Sequence, residues 1–367
     1  MKIAFRTDAS LQMGSGHVMR CLTLADALKA QGAKCHFISR EHPGHLLEVI
    51  RQRGHALSEL PAGNLMSATA NDPKQQPVHT AWLGCDWQTD AQQAGAILAG
   101  LQPHWLVVDH YALDGRWEET VALHYRKLLV IDDLADRPHR CDLLLDQNLG
   151  RQQEDYAQLV PAHCQVLTGP HYALLRPEFA ALRDYSLKRR ANPQLKQLLI
   201  TMGGVDLPNA TSQILAALKA SPLLADCRLT VVMGATAPWL AQVRELAAQM
   251  PWRTEVLVNI TDMAQRMADS DLAIGAAGST SWERCCLGVP TMIVVLAENQ
   301  QPGALALEAA HAACLLGGGG DIAMQLPLAI RELIVSECQM GMSLAASAIT
   351  DGQGVDKILK AIGMLNA

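Results

Sequence analysis

The residues Gly14-Ser15-Gly16-His17, with Arg20 one turn later, stand where a first strand passes into a first helix. The apolar stretch Lys2-Ile3-Ala4-Phe5 predicts the strand, and apolar residues at helical spacing after the histidine predict the helix. Glycines let a ligand approach the backbone, and the unpaired N–H groups of a helix start attract anions. A histidine at this positive helix end is favoured as the neutral base. The alternative interpretation is a glycine-rich turn with a surface histidine. The candidate site residues of this stretch are Gly14, Gly16, His17 and Arg20.

The composition is that of a globular protein long enough for two domains. The chain has 367 residues, 49% of them hydrophobic and 18% charged, and a net charge of −6. Its lysines and arginines form no basic stripe, so nucleic-acid partners are not expected. No apolar run approaches the roughly 20 residues of a membrane span, and no leader precedes the first strand, which predicts a cytoplasmic protein. The 10 cysteines and 13 histidines lack disulfide or metal-ligand spacing, so no metal site is expected.

Two further strand patterns in the N-terminal half end in acidic residues. Trp105-Leu106-Val107-Val108-Asp109 is apolar up to its aspartate and continues into His110-Tyr111. Polar side chains just past a parallel strand line the ligand crevice of an α/β sheet, which makes Tyr111 a candidate contact. A cap of the next helix is an equally good interpretation of Asp109. The second strand ends in Asp132-Asp133, a pair that suggests magnesium, but no further ligand is identifiable in the sequence.

The strand–helix alternation fades between residues 156 and 193, which places the domain boundary there. It restarts with the strand Gln197-Leu198-Leu199-Ile200-Thr201, followed by Gly203-Gly204, in the same strand–turn–helix order as at His17. A glycine pair at this position is a natural contact for a diphosphate. The chain lacks both G-x-x-x-x-G-K-[ST] and G-x-G-x-x-G. A P-loop for nucleoside triphosphates is therefore excluded, and an NAD enzyme is disfavoured.

The densest pattern of the second half is Gly275-Ala276-Ala277-Gly278-Ser279-Thr280-Ser281, which interrupts a strand and precedes a helix with Trp282-Glu283-Arg284. Its serine and threonine hydroxyls, together with backbone N–H groups of the helix start, suit a phosphate. The two carboxylate oxygens of the glutamate, one turn on, suit the vicinal diol of a ribose. Amides past the next strand suit sugar hydroxyls or acetamido groups. The alternative is a capped helix with an exposed glutamate. The candidate residues here are Ser279, Thr280, Glu283, Asn299 and Gln300.

Six stretches carry a resemblance to a known family, and together they span most of residues 1–310: 6–21, 107–111, 131–137 and 278–283, supported by 172–176 and 203–206. They resemble the UDP-2,4-diacetamido-2,4,6-trideoxy-β-L-altropyranose hydrolases of pseudaminic acid biosynthesis and, more broadly, nucleotide-sugar glycosyltransferases of the GT-B fold. Residues 61–80, whose composition up to Pro77 predicts a loop, and residues 311–345 carry no part of the resemblance.

The resemblance implies an α/β, GT-B-like fold in which two Rossmann-like parallel-sheet domains face a central cleft. We expect an N-terminal domain with the catalytic histidine over residues 1–168 and a UDP-binding domain over residues 190–345. Residues 346–367 are expected to form a C-terminal helix that packs back on the N-terminal domain.

The resemblance further implies an enzyme that hydrolyses a UDP-sugar at the glycosyl-diphosphate bond. Water attacks the anomeric carbon, His17 is the general base, UDP and the free 2,4-diacetamido-trideoxyhexose are released, and no metal or other cofactor is needed. Direct displacement by water inverts the anomeric centre. UDP is expected at Ser279, Thr280 and Glu283, with its diphosphate near Gly203 and Gly204. From its position before the turn, Asp8 is a candidate to orient the His17 ring.

Two alternatives stay open on the sequence. The first is a GT-B glycosyltransferase that uses a UDP-hexosamine donor, in which the hydroxyl of an acceptor replaces water. The second is a nucleotide-sugar sensor that binds without turnover, which gives no reason for a base beside a glycine turn. The sequence does not fix the configuration of the sugar, its N-acyl groups or the oligomeric state.

Overall fold

The computed structural model describes residues 1–63, 77–221, 223, 225–235, 237–317 and 321–365. They form two compact units: an N-terminal unit of Met1–Leu174 with Gly354–Ala367, and a C-terminal unit of Leu175–Gln353. The predicted third segment begins at residue 346, whereas the structure returns to the N-terminal unit at Gly354. Most of the loop predicted up to Pro77 lies outside the described residues.

The N-terminal unit is built on a sheet of seven strands in the order β3-β2-β1-β4-β5-β6-β7, and the neighbouring strands are parallel. Such a sheet is covered on both faces, and β4, which is apolar up to Asp109, is buried at every residue. The strands are β1 (Lys2–Thr7), β2 (Lys34–Arg40), β3 (Ala56–Leu60), β4 (Trp105–Asp109), β5 (Lys127–Ile131), β6 (Leu143–Asp146) and β7 (Gln165–Thr168).

Helices cover both faces of this sheet. The first helix ends before Gly32, whose φ of +81° is readily adopted only by glycine. The helices of the unit, numbered along the whole chain, are α1 (Gly16–Ala30), α2 (Leu47–Gln52), α3 (Trp87–Leu101), α4 (Gly115–Val121) and α13 (Gly354–Ala361). Helix α13 packs on α1 and on the 3₁₀ helix Pro170–Tyr172. A methyl group at Gly354 would lie 2.3 Å from the carbonyl oxygen of Ala173, so this close packing requires glycine.

The C-terminal unit repeats the plan with six strands in the order β10-β9-β8-β11-β12-β13 and parallel neighbours. The predicted α/β class with two parallel sheets is confirmed. The strands are β8 (Gln197–Thr201), β9 (Arg228–Met233), β10 (Arg253–Val258), β11 (Leu272–Ala276), β12 (Thr291–Val294) and β13 (Cys314–Leu315).

The helix that follows Leu175 was not predicted. The sequence places the domain boundary between residues 156 and 193, but the structure has a helix at Pro177–Arg189, which starts on a proline and ends on basic residues. Its polar composition conceals the helical period. The helices of the unit are α5 (Pro177–Arg189), α6 (Ala210–Leu218), α7 (Leu240–Ala248), α8 (Met263–Asp269), α9 (Thr280–Cys286), α10 (Gln301–Ala309), α11 (Ile322–Leu333) and α12 (Ser336–Ile349).

The strand order of each sheet reverses at its first strand, between β1 and β4 in one unit and between β8 and β11 in the other. In sheets of this type, ligands bind at the carboxyl ends of the strands beside that reversal. The turn before α1 and the turn before α9 both lie beside these reversals, so side chains on these two turns are the candidates for ligand binding.

Within the described ranges, no single helix has both the length and the apolarity needed to cross a bilayer. A pair bent by 99°, Ile322–Leu333 with Ser336–Ala361, meets both conditions only jointly.

Candidate active site

His17 lies in the first turn of α1 with its side chain 7% exposed. Its Nδ1 is 2.5 Å from Oδ1 of Asp109, at the end of β4, and its ring meets Tyr111 edge-on at 4.5 Å. An ionised carboxylate can only accept a hydrogen bond, so Nδ1 carries the proton of the neutral ring. The lone pair is then on Nε2, which makes His17 a base with a fixed tautomer.

Asp109 is held on both oxygens by Arg20, which lies on the same side of α1 as His17. Nε of Arg20 is 2.7 Å from Oδ2, and Nη2 is 2.7 Å from Oδ1. Burial alone would raise the pKa of Asp109, but the charge of Arg20 and the hydrogen bonds from Arg20 and His17 lower it far below the usual range. Asp109 is therefore an anion at neutral pH. It is not a helix cap, because Asp114 caps α4.

Arg20 also binds Asp133, at 2.8 Å from Nη2 to Oδ2, so its guanidinium lies between two carboxylates. The Tyr111 hydroxyl donates to Asp133 at 2.6 Å, and burial with the nearby Asp133 charge raises the pKa of Tyr111 well above its ordinary value. Arg20 and Tyr111, both predicted to contact substrate, are thus joined to the groups that hold His17. Their described contacts are those of positioning residues.

An aromatic wall beside His17 was missed by the sequence analysis. Trp82 stacks on Tyr111 with ring centroids 5.8 Å apart, and His79 packs on both rings at 4.2 and 5.5 Å. His79 and Trp82 belong to or flank the 3₁₀ helix Thr80–Leu83 and are half-buried. No motif spacing marks His79 and Trp82 in the sequence, because the ring they contact, Tyr111, is about thirty positions further along the chain.

The prediction that Asp8 orients the His17 ring is wrong, because Asp109 occupies that position. Asp8 is fully buried and accepts from Nη1 of Arg6 at 2.6 Å and from the backbone N–H of Arg40 at 2.7 Å. It lies in a polar network at the end of β1 in which Arg6 and Arg40 also bind Asp90. The aspartate that follows β1 is therefore structural, and the one that ends β4 holds the histidine.

Asp132, the partner of Asp133 in the sequence, is also part of the structure rather than a ligand group. It accepts from the backbone N–H of Ala135 at 2.8 Å and the hydroxyl of Tyr156 at 2.9 Å, and it pairs with Arg137. Over the described part of the chain, no three His, Cys, Asp or Glu side chains are grouped as a metal site would require.

The glycines of the first turn have different roles. Gly14 adopts a φ of +80° and closes the turn through its N–H to the carbonyl of Ser10 at 2.8 Å. A methyl group at Gly14 would meet no atom within 4 Å, so the requirement is backbone conformation. Gly16 is the first residue of α1, next to His17.

In the C-terminal unit, the turn 277–279 leads from β11 into α9. Ser279 is exposed and Thr280 is half-buried, so both hydroxyls lie near the surface of the turn. Glu283, one turn further on, has a side chain 17% exposed whose Oε1 is 3.8 Å from Nη2 of Arg176. Burial raises the pKa of Glu283 to about 7, against the opposing charge of Arg176.

Two other predicted contacts flank this turn. Gln300 lies in the 3₁₀ helix Glu298–Gln300, where its Oε1 accepts from the backbone N–H of Leu296 at 3.0 Å. Its Nε2 would be 3.9 Å from a methyl group at Gly278, which places it beside the turn. Asn299 is exposed next to it.

The glycine turn after β8 offers less than the sequence predicts. Gly203 and Gly204 are exposed, and Gly203 has a φ of +81°. The side chain of Asp206 accepts from the first N–H groups of α6, those of Ala210 and Thr211, at 2.9 Å each. Because Asp206 already accepts from these N–H groups, a diphosphate on this side could bind only to the backbone of the glycine turn.

The chain is similar to several known proteins. No family model matches the chain. It is 25% identical over 302 residues to the UDP-2,4-diacetamido-2,4,6-trideoxy-beta-L-altropyranose hydrolase of Campylobacter jejuni. The aligned residues cover 82% of this chain and 94% of that protein. The chain is a homologue of this hydrolase. It is also 24% identical over 304 residues, 82% of its length, to an uncharacterized protein of Methanocaldococcus jannaschii. With the spore coat polysaccharide biosynthesis protein SpsG of Bacillus subtilis it shares 29% identity over 202 residues, 54% of its length.

The chain spans little more than half the length of two of these relatives, 56% of the Methanocaldococcus protein and 58% of the Bacillus protein. Among solved structures, MurG of Acinetobacter baumannii matches with a TM-score of 0.66 at 16% identity, with full coverage of both chains. UGT89C1 of Arabidopsis thaliana, complexed with UDP, matches with a TM-score of 0.63 at 12% identity over 98% of this chain and 99% of that one. These likenesses show the fold, and the predicted GT-B-like fold is confirmed.

Proposed function

We propose that this chain hydrolyses a UDP-linked sugar, releasing UDP and the free sugar, with His17 as the general base. The observation that carries the proposal is the contact between Nδ1 of His17 and Asp109, which leaves Nε2 as the proton acceptor. The homology to a UDP-2,4-diacetamido-2,4,6-trideoxy-beta-L-altropyranose hydrolase points to a diacetamido-trideoxyhexose as the sugar.

In the proposed step, Nε2 takes a proton from water while the water oxygen bonds to the anomeric carbon. The bond from that carbon to the diphosphate oxygen breaks, and its electron pair leaves with UDP. Attack opposite the leaving group inverts the anomeric centre. Asp109 stabilises the imidazolium that forms, and Arg20 holds Asp109 in place.

We assign UDP to the groups around α9. The carboxylate of Glu283 accepts from the two ribose hydroxyls, and the hydroxyls of Ser279 and Thr280 donate to the diphosphate. Gly203 and Gly204 supply backbone contacts, while Asn299 and Gln300 serve the acetamido groups of the sugar. Hydrogen bonds from such donors stabilise the negative charge that the diphosphate gains as it leaves, and the reaction needs this stabilisation in addition to the base.

The test is His17→Asn, which keeps a polar side chain of similar size but removes the base. We expect turnover of the UDP-sugar to fall below detection while UDP still binds with an affinity within about twofold of the wild type. Turnover is measured by release of free sugar, and binding by calorimetry. Normal turnover in this variant would remove His17 from the mechanism.

A glycosyltransferase is the alternative, because Nε2 of His17 would deprotonate an acceptor hydroxyl as readily as water. The two are separated by incubation of the protein with the UDP-sugar alone. Release of UDP without an acceptor supports hydrolysis, and release that depends on an added acceptor supports transfer. A cytoplasmic location and the lack of nucleic-acid partners stay predictions from the sequence.

A further inference from the structure

Arg284 in α9 is a buried arginine that binds only neutral groups. The residue is 1% exposed. Its Nη1 donates to Oγ1 of Thr280 at 3.1 Å, and its Nη2 donates to the carbonyl of Ala276 at 2.8 Å and to Oγ of Ser281 at 3.0 Å. Nε has no hydrogen-bond partner in the described part of the chain, and no salt bridge to a carboxylate joins this guanidinium there. Burial lowers the pKa of Arg284 to about 10, so it stays a cation at neutral pH.

Two buried arginines of the N-terminal unit have their charge compensated by a carboxylate, since Arg6 and Arg40 both bind Asp90. In the described part of the C-terminal unit, Arg190 also binds only neutral groups, but these include the carbonyls of Met267 and Ser270 at the end of α8, where the helix dipole is negative. A buried charge without such compensation is costly. Arg284 thus indicates an anion that joins the structure when the protein functions.

The contacts of Arg284 show how its charge reaches the surface. Because the Thr280 and Ser281 oxygens accept from the guanidinium, their own hydrogens are free to donate elsewhere. Thr280 is half-buried and begins α9, so its hydroxyl lies between the cation and the turn 277–279. A donor polarised by a cation forms stronger hydrogen bonds to an anion. The end of β11 is shaped for this arrangement, since a methyl group at Gly275 would lie 2.4 Å from Nη1 of Arg284.

We propose that Arg284 is the positive charge that complements the diphosphate of the bound nucleotide, acting from beneath the turn through the hydroxyl of Thr280. This inference rests on the proposed function, which places UDP at α9, and it names the part of the ligand that the buried cation serves. Arg284 is a positioning residue, because its guanidinium is covered and acts on the ligand only through this hydroxyl.

The test compares UDP with uridine, which lacks the diphosphate. Calorimetry measures the affinity of both ligands for the wild type, for Arg284→Met and for Arg284→Lys. We expect Arg284→Met to weaken UDP by about tenfold to a hundredfold and uridine by no more than about twofold, with Arg284→Lys in between. Equal weakening of both ligands would show a merely structural role and overturn the inference, as would unchanged affinity for UDP.

Arg183→Met is the matched control. Arg183 binds the carbonyls of Cys286, Ser347 and Thr350, so it holds the opposite end of α9 with the same chemistry. We expect this variant to leave the ratio of UDP to uridine affinity unchanged. A change as large as that in Arg284→Met would make the effect general to α9 and contradict the proposal.

If Arg284→Met does not fold, as judged by circular dichroism, Arg284→Gln decides. It keeps an N–H donor for the hydroxyl of Thr280 and removes the positive charge, so the same selective loss of UDP affinity is expected. Equal loss for uridine would overturn the inference. A wild type that binds UDP but hydrolyses no UDP-sugar would contradict the proposed function and leave the inference to be judged by the UDP-to-uridine ratio.

Discussion

Each unit of the molecule places one arginine with little exposure beside its candidate site, and only the arginine of the N-terminal unit is paired with carboxylates. Arg20 in the N-terminal unit lies between Asp109 and Asp133 and has its charge cancelled by the protein. Arg284 in the C-terminal unit binds two hydroxyls and a carbonyl. In the first site, the protein itself supplies the carboxylates that pair with the cation, and Asp109 holds His17 with the lone pair on Nε2. In the second site no carboxylate is in ion-pair contact with Arg284 among the described residues, and a nucleotide diphosphate would supply an anion beside it.

The largest effect is expected when the complete site is broken at Asp109. Asparagine in its place presents either an N–H donor or a weaker, neutral acceptor to Nδ1, so the tautomer with its lone pair on Nε2 is no longer enforced. For Asp109→Asn we expect kcat to fall by about a thousandfold to ten-thousandfold. Steady-state release of free sugar measures it, with the affinity for UDP as the control that should hold. A loss of less than about tenfold would show that Asp109 does not act through His17.

A smaller effect is expected when the cation of the same site is removed. In Arg20→Met, the negative charge of Asp109 is no longer balanced, so it favours the protonated imidazole and the base is lost at higher pH. Tyr111 and His79 are further titratable side chains near His17, and Asp133 and Cys21 contact Arg20 and Asp109, respectively.

We therefore expect the acidic limb of the pH profile of kcat/KM to move up by about one pH unit. The value of kcat at high pH should fall about tenfold, since Asp109 is held less firmly. An unchanged acidic limb would mean that Arg20 has no electrostatic effect on the base. Arg20→Lys is the control that keeps the charge and should restore most of the profile.

The smallest effect is expected in the C-terminal unit, where the affinity for the nucleotide should depend on the ionisation of Glu283. Because burial raises the pKa of Glu283 to about 7, its carboxylate form, which accepts from both ribose hydroxyls, is depleted as the pH falls below 7. We expect the affinity for UDP and for uridine to weaken together between pH 8 and about pH 6, by roughly tenfold. In Glu283→Gln both affinities should be weak at all pH values. A pH dependence for UDP that persists in this variant would belong to the diphosphate and not to the ribose contact.

The sequence predicts the alternation of strands and helices well, because buried parallel strands such as β4 and β5 are mainly apolar and end at polar turns. His17 and the turn 275–281 follow from that pattern together with their glycines. The partner of His17 does not, because Asp8 and Asp109 both lie at the end of a strand and differ in which side chains the sheet order brings beside them. Helix α5 is missed because its polar composition conceals the helical period.

Arg284 illustrates a second limit of sequence analysis. In the sequence, a charge after Trp282-Glu283 is typical of the solvated face of a helix, and the structure places it among the buried residues. The one feature of the sequence that could indicate a buried group here is Gly275, whose lack of a side chain makes room for the guanidinium of Arg284. Glycine within a strand pattern marks close approach of other atoms but does not identify them.

The measurement that tests the central claim most directly is turnover of the UDP-sugar in ¹⁸O-labelled water without any acceptor, with mass spectrometry of both products. If a water deprotonated by His17 attacks the anomeric carbon, the label is found in the free sugar and the UDP is unlabelled. Label in the phosphate of UDP would mean attack at phosphorus, and it would contradict the account.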